Sequence, residues 1–424
     1  MSTFQPVRGM RDQTAQDAET LTYIITQARQ TAQLFGFQEV ITPVVEPLEL
    51  LSAKSGEEIR QRMFIFEDMG GRKVALRPEF TASIARLTTT ALKNEPKPLR
   101  LFSVGSVYRY DEPQKGRYRE FWQANFELMG SAKPEADAEV ILLANSLLKN
   151  VGLKDYALKL GHVGVLKGIM TQEGIDDKTQ NAILQKMDKK EYDAALALVA
   201  SEKCKAALQG LIDLKGSDVF DTVEKMKVQV QSYEQALAAV ENLAAVLKLA
   251  AESGCPIETV EPAFARGLEY YTGVIFELYV PQLDIALGGG GRYDKLIEAF
   301  GGEPTPAVGM ALGIDRTALA LQAQQTALNK PVQKRVLVVP IKAEQKAEAL
   351  KIAQMLRDAG VAVEFEVMGR KMAKALEDAD KRKMDFAVIV GERELKAGKV
   401  VLKNLAERTQ TETEISKLAQ EIKV

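Results

Sequence analysis

Between Ala18 and Phe35 the apolar side chains Leu21, Ile24, Ile25, Ala28, Ala32 and Leu34 recur at roughly helical spacing. That spacing predicts a helix, and Gly36 supplies a residue that commonly ends one. The pattern then changes. FQEVITPVVEP is rich in β-branched residues and holds Pro43, so it predicts an interrupted strand at an edge or interface, because proline cannot donate to a ladder. MFIFED and RKVALRP, on either side of Gly70-Gly71, predict a hairpin within residues 63–77. LRLFSVGSVYRY and FWQANFELMG predict two longer strands around the loop PQKGRYRE. Together these segments predict an antiparallel sheet. Ala136 to Asn150 has the pattern of an amphipathic helix, and YALKLGHVGVL returns to strand character.

From about 165 to 255 the chain is dominated by Ala, Lys, Leu, Gln and Glu in helical periodicity, which predicts a helical insertion. Strand character resumes at GVIFELYV and continues through GGGGRYD to AVGMALGIDRTALALQ, where a strand should run through Gly313 into a helix. Asn329-Lys330-Pro331 marks a linker. Beyond it RVLVVPI, a helix from Ala343 to Gly360, VAVEFEV, a helix near Met372 to Arg382 and FAVIVG alternate strand and helix, the pattern of a small α/β domain. The expected fold is therefore α+β: an antiparallel core in two parts, 1–164 and 256–328, interrupted by 165–255 and followed by an α/β domain at 332–424.

With 424 residues the chain can hold two or three domains, and no apolar run approaches a membrane span. MSTFQPVRGMRDQTAQDAET lacks the basic and apolar regions of a secretory signal, which predicts a cytoplasmic protein. Cys204 and Cys255 have no metal-ligand spacing, and a single His162 removes most zinc arrangements and nucleophile–histidine dyads. All three read as structural residues. The net charge of −2 decides nothing about a nucleic-acid partner. The tail from 332 onward carries 19 Lys and Arg against 15 Asp and Glu, a local +4 that suits nucleic acid or a solvated helix face.

Candidate chemistry lies in five places. In ALRPEFTASIAR, Glu79 and Thr81 sit at the mouth of a helix, where a carboxylate and a hydroxyl can accept from an ammonium group; the same pattern also describes an acidic helix start. In VYRYDEPQKGRYREFWQANFE, Lys115, Arg117 and Arg119 occupy a loop, and alternation allows Arg109, Gln123 and Glu127 to line one face. Guanidinium groups suit phosphate through paired charge-assisted hydrogen bonds, and Phe121 can stack on a purine or simply pack. AFARGLEYYTG sets Arg266 near Tyr270 and Tyr271, a toolkit for a polar, aromatic-like substrate or a loop stapled to the sheet. ALGGGGRYD requires close backbone approach or unusual dihedrals and lacks dinucleotide-fingerprint spacing, while GMALGIDR offers Arg316 to a phosphate.

In this order and spacing the pieces resemble the three signature motifs of class II aminoacyl-tRNA synthetases over nearly the whole chain. FGFQEVITPVVEP is similar to the first, with Pro43 at a dimer-interface position; Arg109 to Glu127 resembles the second and GMALGIDR the third. RGLEYYTG and GGRYD resemble the two peptides of the histidine-specific members, and the tail resembles the anticodon-binding domain shared by the histidine, proline, threonine and glycine enzymes.

The resemblance implies a cytoplasmic homodimer that joins L-histidine to tRNA(His) using ATP and Mg2+, with no protein side chains assigned to the metal. It implies that Glu79, Thr81 and Gln123 hold the α-ammonium, that Glu127 and Tyr271 address the imidazole, and that Tyr270 and Tyr293 complete the pocket. Arg109 and Arg266 would grip the α-phosphate and substrate carboxylate, Arg117 and Arg316 the distal phosphates, Phe121 the adenine, and Gln114 the tRNA acceptor end. Three departures stand out. Arg109-Tyr110-Asp111 is followed by Glu112, leaving two carboxylates as candidates for adenosine; Glu269 replaces a common Asp; Phe80 replaces a common Gly. The competing implication is a non-catalytic synthetase-like regulator, either a subunit of ATP phosphoribosyltransferase or a sensor of uncharged tRNA.

Overall fold

The computed structural model describes residues 4–53, 57–114, 116–266, 269–283, 285–329 and 333–423. The chain divides into two compact units, Met1–Asn329 and Lys330–Val424. Of the linker expected at Asn329-Lys330-Pro331, the last two residues lie outside the described residues.

The larger unit is built on an eight-stranded sheet. From one edge its strands run Gln38–Glu39, Leu99–Tyr108, Glu120–Met129, Ala307–Gly313, Ile285–Arg292, Val274–Val280, Ala157–His162 and Thr259–Val260. The six inner strands pair antiparallel, while the two-residue strand at each edge pairs parallel with its neighbour. The first strand ends at Glu39, and beyond Pro43 the chain re-forms as Val45–Pro47 in a separate three-stranded sheet. The expected hairpin completes that small sheet as Ile65–Glu67 and Lys73–Leu76, turning through Asp68 and Gly71.

The helix Ala15–Leu34 begins three residues before the apolar pattern does, and Gly36 follows it at φ +73°. It packs on the helix Pro134–Asn150, whose proline occupies the first turn, where a missing N–H costs nothing. YALKLGHVGVL is only half strand. The ladder ends at His162, whose Nδ1 accepts the Gly164 N–H at 3.1 Å and starts the helix Val163–Gln172. A short apolar run does not distinguish a buried strand from a buried helix, and here the cap decides.

Between Val163 and Glu252 lie six helices among the described residues. Asp176, Ser201 and Asp218 cap three of them by accepting backbone N–H groups. Their buried side chains, including Leu166, Ile183, Leu208 and Leu247, join the same hydrophobic core as Phe126 and Leu158 of the sheet.

The four glycines of GGGG lie within a central strand, and none has positive φ. Close approach is their reason: a Cβ on Gly290 would sit 2.1 Å from the Gly309 carbonyl oxygen, and one on Gly288 2.3 Å from that of Ala311. The smaller unit holds three parallel strands, Ala362–Phe365, Arg335–Pro340 and Phe386–Val390, extended antiparallel by Lys399–Asn404 and Thr409–Glu414. The last strand, TQTETE, is almost wholly exposed, so no apolar pattern announces it.

Arg292 joins the large sheet to its helical cover. Its Nε donates to both Asp137 oxygens at 3.0 and 3.1 Å, and its Nη1 reaches Ser131 O at 2.9 Å and Asp294 at 3.0 Å. Both partners are buried, with side chains 6% and 1% exposed, so removing one strands the other charge. Arg292→Met is expected to cost about 3–5 kcal/mol in denaturant unfolding. A loss near zero would mean that Asp137 finds another partner.

Candidate active site

A cavity of about 400 Å³ opens over the middle of the large sheet. Its polar wall follows from strand alternation, since Gln123, Asn125 and Glu127 point the same way from Glu120–Met129. Its space follows from the neighbouring strand, where Gly313, Ala311 and Gly309 stand opposite those residues. A Cβ on Gly309 would lie 1.7 Å from Glu127 Oε2. Gly289 makes room in the same way, because a Cβ there would lie 2.3 Å from Arg266 Nη1.

Glu127 is 1% exposed. Thr81 Oγ1 donates to its Oε1 at 2.6 Å, and the Tyr293 hydroxyl donates to Oε2. Burial raises its pKa from the ordinary 4.5 to about 8. Glu79 adds to that rise, while hydrogen bonds from Thr81, Tyr293 and Asn125 oppose it. Tyr270 lies between the other two tyrosines, its ring 5.0 Å from Tyr271 and 5.7 Å from Tyr293. Burial pushes the Tyr271 phenol up to about 12 and those of Tyr270 and Tyr293 well above the ordinary range, so all three are hydrogen-bonding hydroxyls at neutral pH. Gln123 Oε1 and Asn125 Oδ1 are buried acceptors without a hydrogen-bond partner. Such groups are costly unless a ligand donates to them.

Glu79 serves the helix start as well as the cavity: its carboxylate accepts the N–H groups of Thr81 and, at 2.9 Å, Ala82. The two readings of that motif are thus compatible.

The other end of the cavity is cationic. Arg109 donates to Pro78 O at 2.9 Å and lies 5.3 Å from the Phe121 ring centroid. Arg266 reaches Phe276 O at 3.2 Å and Glu277 Oε1 at 3.3 Å. Arg316 donates to Ala286 O at 2.8 Å and Gly116 O at 3.1 Å. Arg117 stands 3.8 Å from Asp111, which also pairs with Arg62 at 3.3 Å. Backbone carbonyls and single carboxylates hold these cations without saturating their five donors each.

The cavity therefore gathers Glu79, Thr81, Arg109, Asp111, Arg117, Phe121, Gln123, Glu127, Arg266, Tyr270, Tyr271, Tyr293 and Arg316. Gln114 is not in its lining; it is exposed and pairs through its backbone with Arg117. Asp111 lines the cavity, whereas Glu112 is exposed and pairs with Arg8. Arg119 turns inward, donating to Asp111 O and Arg8 O, so its role in the loop is structural. Lys115, Gly267 and Leu268 lie outside the described residues. Glu269 accepts from Gln185 at 3.2 Å, and Phe80 is buried beneath the Arg77 guanidinium. Sequence reasoning missed Asn125, Arg62, Glu277 and Asp315, all in the lining. Asn125 was within reach, since it shares the alternation of Gln123 and Glu127.

An antiparallel catalytic sheet with arginines from three motifs gathered over it is the architecture of a class II aminoacyl-tRNA synthetase. Residues 9–317 match the family model described as "Histidyl-tRNA synthetase", and residues 335–424 match that described as "Anticodon binding domain". The chain is 41% identical over 415 residues to a histidine–tRNA ligase of Methanococcus maripaludis, covering 96% of each chain. It is 39% identical over 407 residues to that of Methanocaldococcus jannaschii, covering 95% of each. The crystal structure of histidyl-tRNA synthetase from Nostoc sp. PCC 7120 is similar with a TM-score of 0.79 at 25% identity, over 99% of both chains. The chain belongs to the histidyl-tRNA synthetase family.

Between the two Glu127 values, the folded protein retains a proton that the unfolded chain has lost. Its contribution to stability is therefore present below about pH 4.5 and is lost as pH rises through about 8. The stability of wild type relative to Glu127→Gln should fall by about 1 kcal/mol per pH unit across that window. Unfolding of both proteins at several pH values measures it, and a flat difference would show Glu127 to be ionised in the folded state.

Proposed function

We propose that the chain is a histidine–tRNA ligase: it activates L-histidine with ATP to histidyl-adenylate and pyrophosphate, then transfers histidine to the 3′ end of tRNA(His). The observation that carries this reading is the division of one cavity into a hydrogen-bonding half around Glu127 and a cationic half around Arg109, Arg266 and Arg316.

Histidine lies in the first half. Glu79, Thr81 and the free acceptor of Gln123 take the α-ammonium, while Glu127 and Tyr271 address the imidazole nitrogens and Tyr270 and Tyr293 close the wall around them. An analogue without those nitrogens leaves buried polar groups unpaired and is rejected by a factor of about 10⁴–10⁵. ATP lies in the second half, its adenine on Phe121 with Asp111 beside it, and its distal phosphates on Arg117 and Arg316. The histidine carboxylate is already a nucleophile, so no protein base is required. One carboxylate oxygen bonds to the α-phosphorus as the bond to the bridging oxygen breaks and pyrophosphate departs with that electron pair. Arg109 and Arg266 align the reactants and stabilise charge growing on the α-phosphate oxygens.

Among the described residues no cluster of three His, Cys, Asp or Glu can hold a resident metal. Bound with the ATP phosphates, Mg2+ would supply charge neutralisation for the departing pyrophosphate, and Glu277 would be the residue of the cavity able to hold it through one oxygen. A ribose hydroxyl of the terminal tRNA nucleotide then attacks the adenylate carbonyl and AMP leaves.

The unit after residue 332, with its local +4 charge, binds the anticodon end of the tRNA, and Gln114 in the exposed loop meets the acceptor end. Ile41, Val44, Val45, Ile65 and Phe66 are exposed apolar side chains around Pro43 and on the small sheet, and two copies pair as a homodimer through this region. No helix among the described residues is long and apolar enough to cross a membrane. The proposed working place, by resemblance to the family, is the cytoplasm. The regulator reading is set aside because the arginines of activation all line the cavity and the anticodon unit is present.

Histidine-dependent exchange of pyrophosphate into ATP, followed by charging of tRNA, tests the proposal. Exchange supported equally by other amino acids would overturn it. Arg266→Ala is expected to slow exchange by about 10²–10³-fold, roughly 3–4 kcal/mol in activation, with a smaller effect on histidine binding. Near-normal exchange in that variant would remove Arg266 from the chemistry.

A further inference from the structure

The chain before its first helix is docked on the loop that carries Arg117 and Tyr118 and leads into the strand bearing Phe121. Arg119 donates its N–H to Gly9 O at 2.8 Å and its Nη1 to Arg8 O at 3.3 Å. Gly9, at φ +86°, lets the strap lie flat, since a Cβ there would meet the Arg119 side chain at 2.7 Å. Two residues on, the Arg11 guanidinium lies 3.7 Å from the Tyr118 ring centroid and pairs with Asp315 Oδ1. Asp315 is 3% exposed, and its other oxygen accepts the Trp122 N–H at 2.7 Å. Tyr118 and Asp315 both line the cavity, yet Arg11 does not.

We propose that Arg11 is a positioning residue for ATP: by stacking on Tyr118 and pairing with Asp315 it clamps the loop between Leu99–Tyr108 and Glu120–Met129 to the helix Ile314–Ala323. This deepens the ligase reading and rests on its assignment of the cationic half to ATP. The helix start holds this segment at two further points, since Arg316 donates to Gly116 O in the loop and the adjacent Asp315 takes the N–H of Trp122 in the strand that follows it. Arg11 supplies the third, on the stretch between them. A buried carboxylate with one donor is poorly compensated, and a planar cation on an aromatic face gains both charge and stacking. Without Arg11, Asp315 retains only Trp122 among these two partners and Tyr118 loses its cover, so the loop residue Arg117 is no longer held against the cavity. Glu127, Thr81 and Tyr293 sit outside that loop, so the histidine half is untouched.

Full-length wild type, Arg11→Gln, Arg11→Lys and Tyr118→Ala are compared in histidine-dependent exchange, with Arg8→Gln as a control at an exposed pair. Arg11→Gln should raise KM for ATP by about ten-fold while KM for histidine stays within about two-fold, and Arg11→Lys should recover part of the loss. Tyr118→Ala should resemble Arg11→Gln, and the double variant should be little worse than either, because one contact is removed twice. Trp122 is the only tryptophan, so its fluorescence during titration with ATP alone gives a second readout that does not require turnover. An unchanged KM for ATP, or an equal rise in both KM values, would overturn the clamp. The two proposals fail separately: absence of histidine-dependent exchange in wild type sinks the ligase reading, while the ATP titrations of wild type and variants still judge the clamp.

Discussion

Glu127 stands directly across the sheet from Gly309, with no room for even a methyl group between its carboxylate and the neighbouring strand. Burial at this depth disfavours its charge, and Thr81 and Tyr293 supply hydrogen bonds that keep the group in place. The rest of the cavity depends on this pairing of a polar strand with a strand of small residues. Gln123 and Asn125 repeat it at the next two positions, facing Gly313 and Ala311. A sheet normally fills the space over such a face with its own side chains, and this one leaves it to a ligand.

The cationic half solves a different problem. Several guanidinium groups around one cavity repel one another, and each is held in place by a fixed acceptor: Pro78 O for Arg109, Phe276 O for Arg266, Ala286 O for Arg316. Anchoring to carbonyls fixes position without neutralising charge. Asp111 and Glu277 are the exceptions, each paired with one of the cavity's arginines, so these cations are already oriented by the protein itself. The anchors come from strands and loops far apart in sequence, which makes the site a product of the whole sheet.

Much of this was legible in the chain. Alternation marked Gln123 and Glu127 as companions, the β-branched runs announced the inner strands, and RGLEYYTG with GGRYD pointed to residues that line one cavity. The misses have local causes. Asn125 was hidden between two more expressive neighbours, and TQTETE formed a strand without apolar residues because its partner Lys399–Asn404 provides the ladder. YALKLGHVGVL broke into helix at His162, where burial lowers the imidazole pKa to about 4 and leaves a neutral acceptor for the helix start.

The sequence alone determined the order of elements, the separation of a helical stretch and an α/β tail, and the types of residue able to hold an amino acid and phosphates. These are local matters of period, turn chemistry and side-chain inventory. Tertiary structure decided whether GGGG meant unusual dihedrals or close approach, whether Asp111 or Glu112 faces the cavity, and that Arg119 is structural while Arg11 is drawn to the loop. Each of those outcomes depends on which strands become neighbours and how closely they approach. Register and packing between distant segments set that geometry, and no spacing along one segment encodes it.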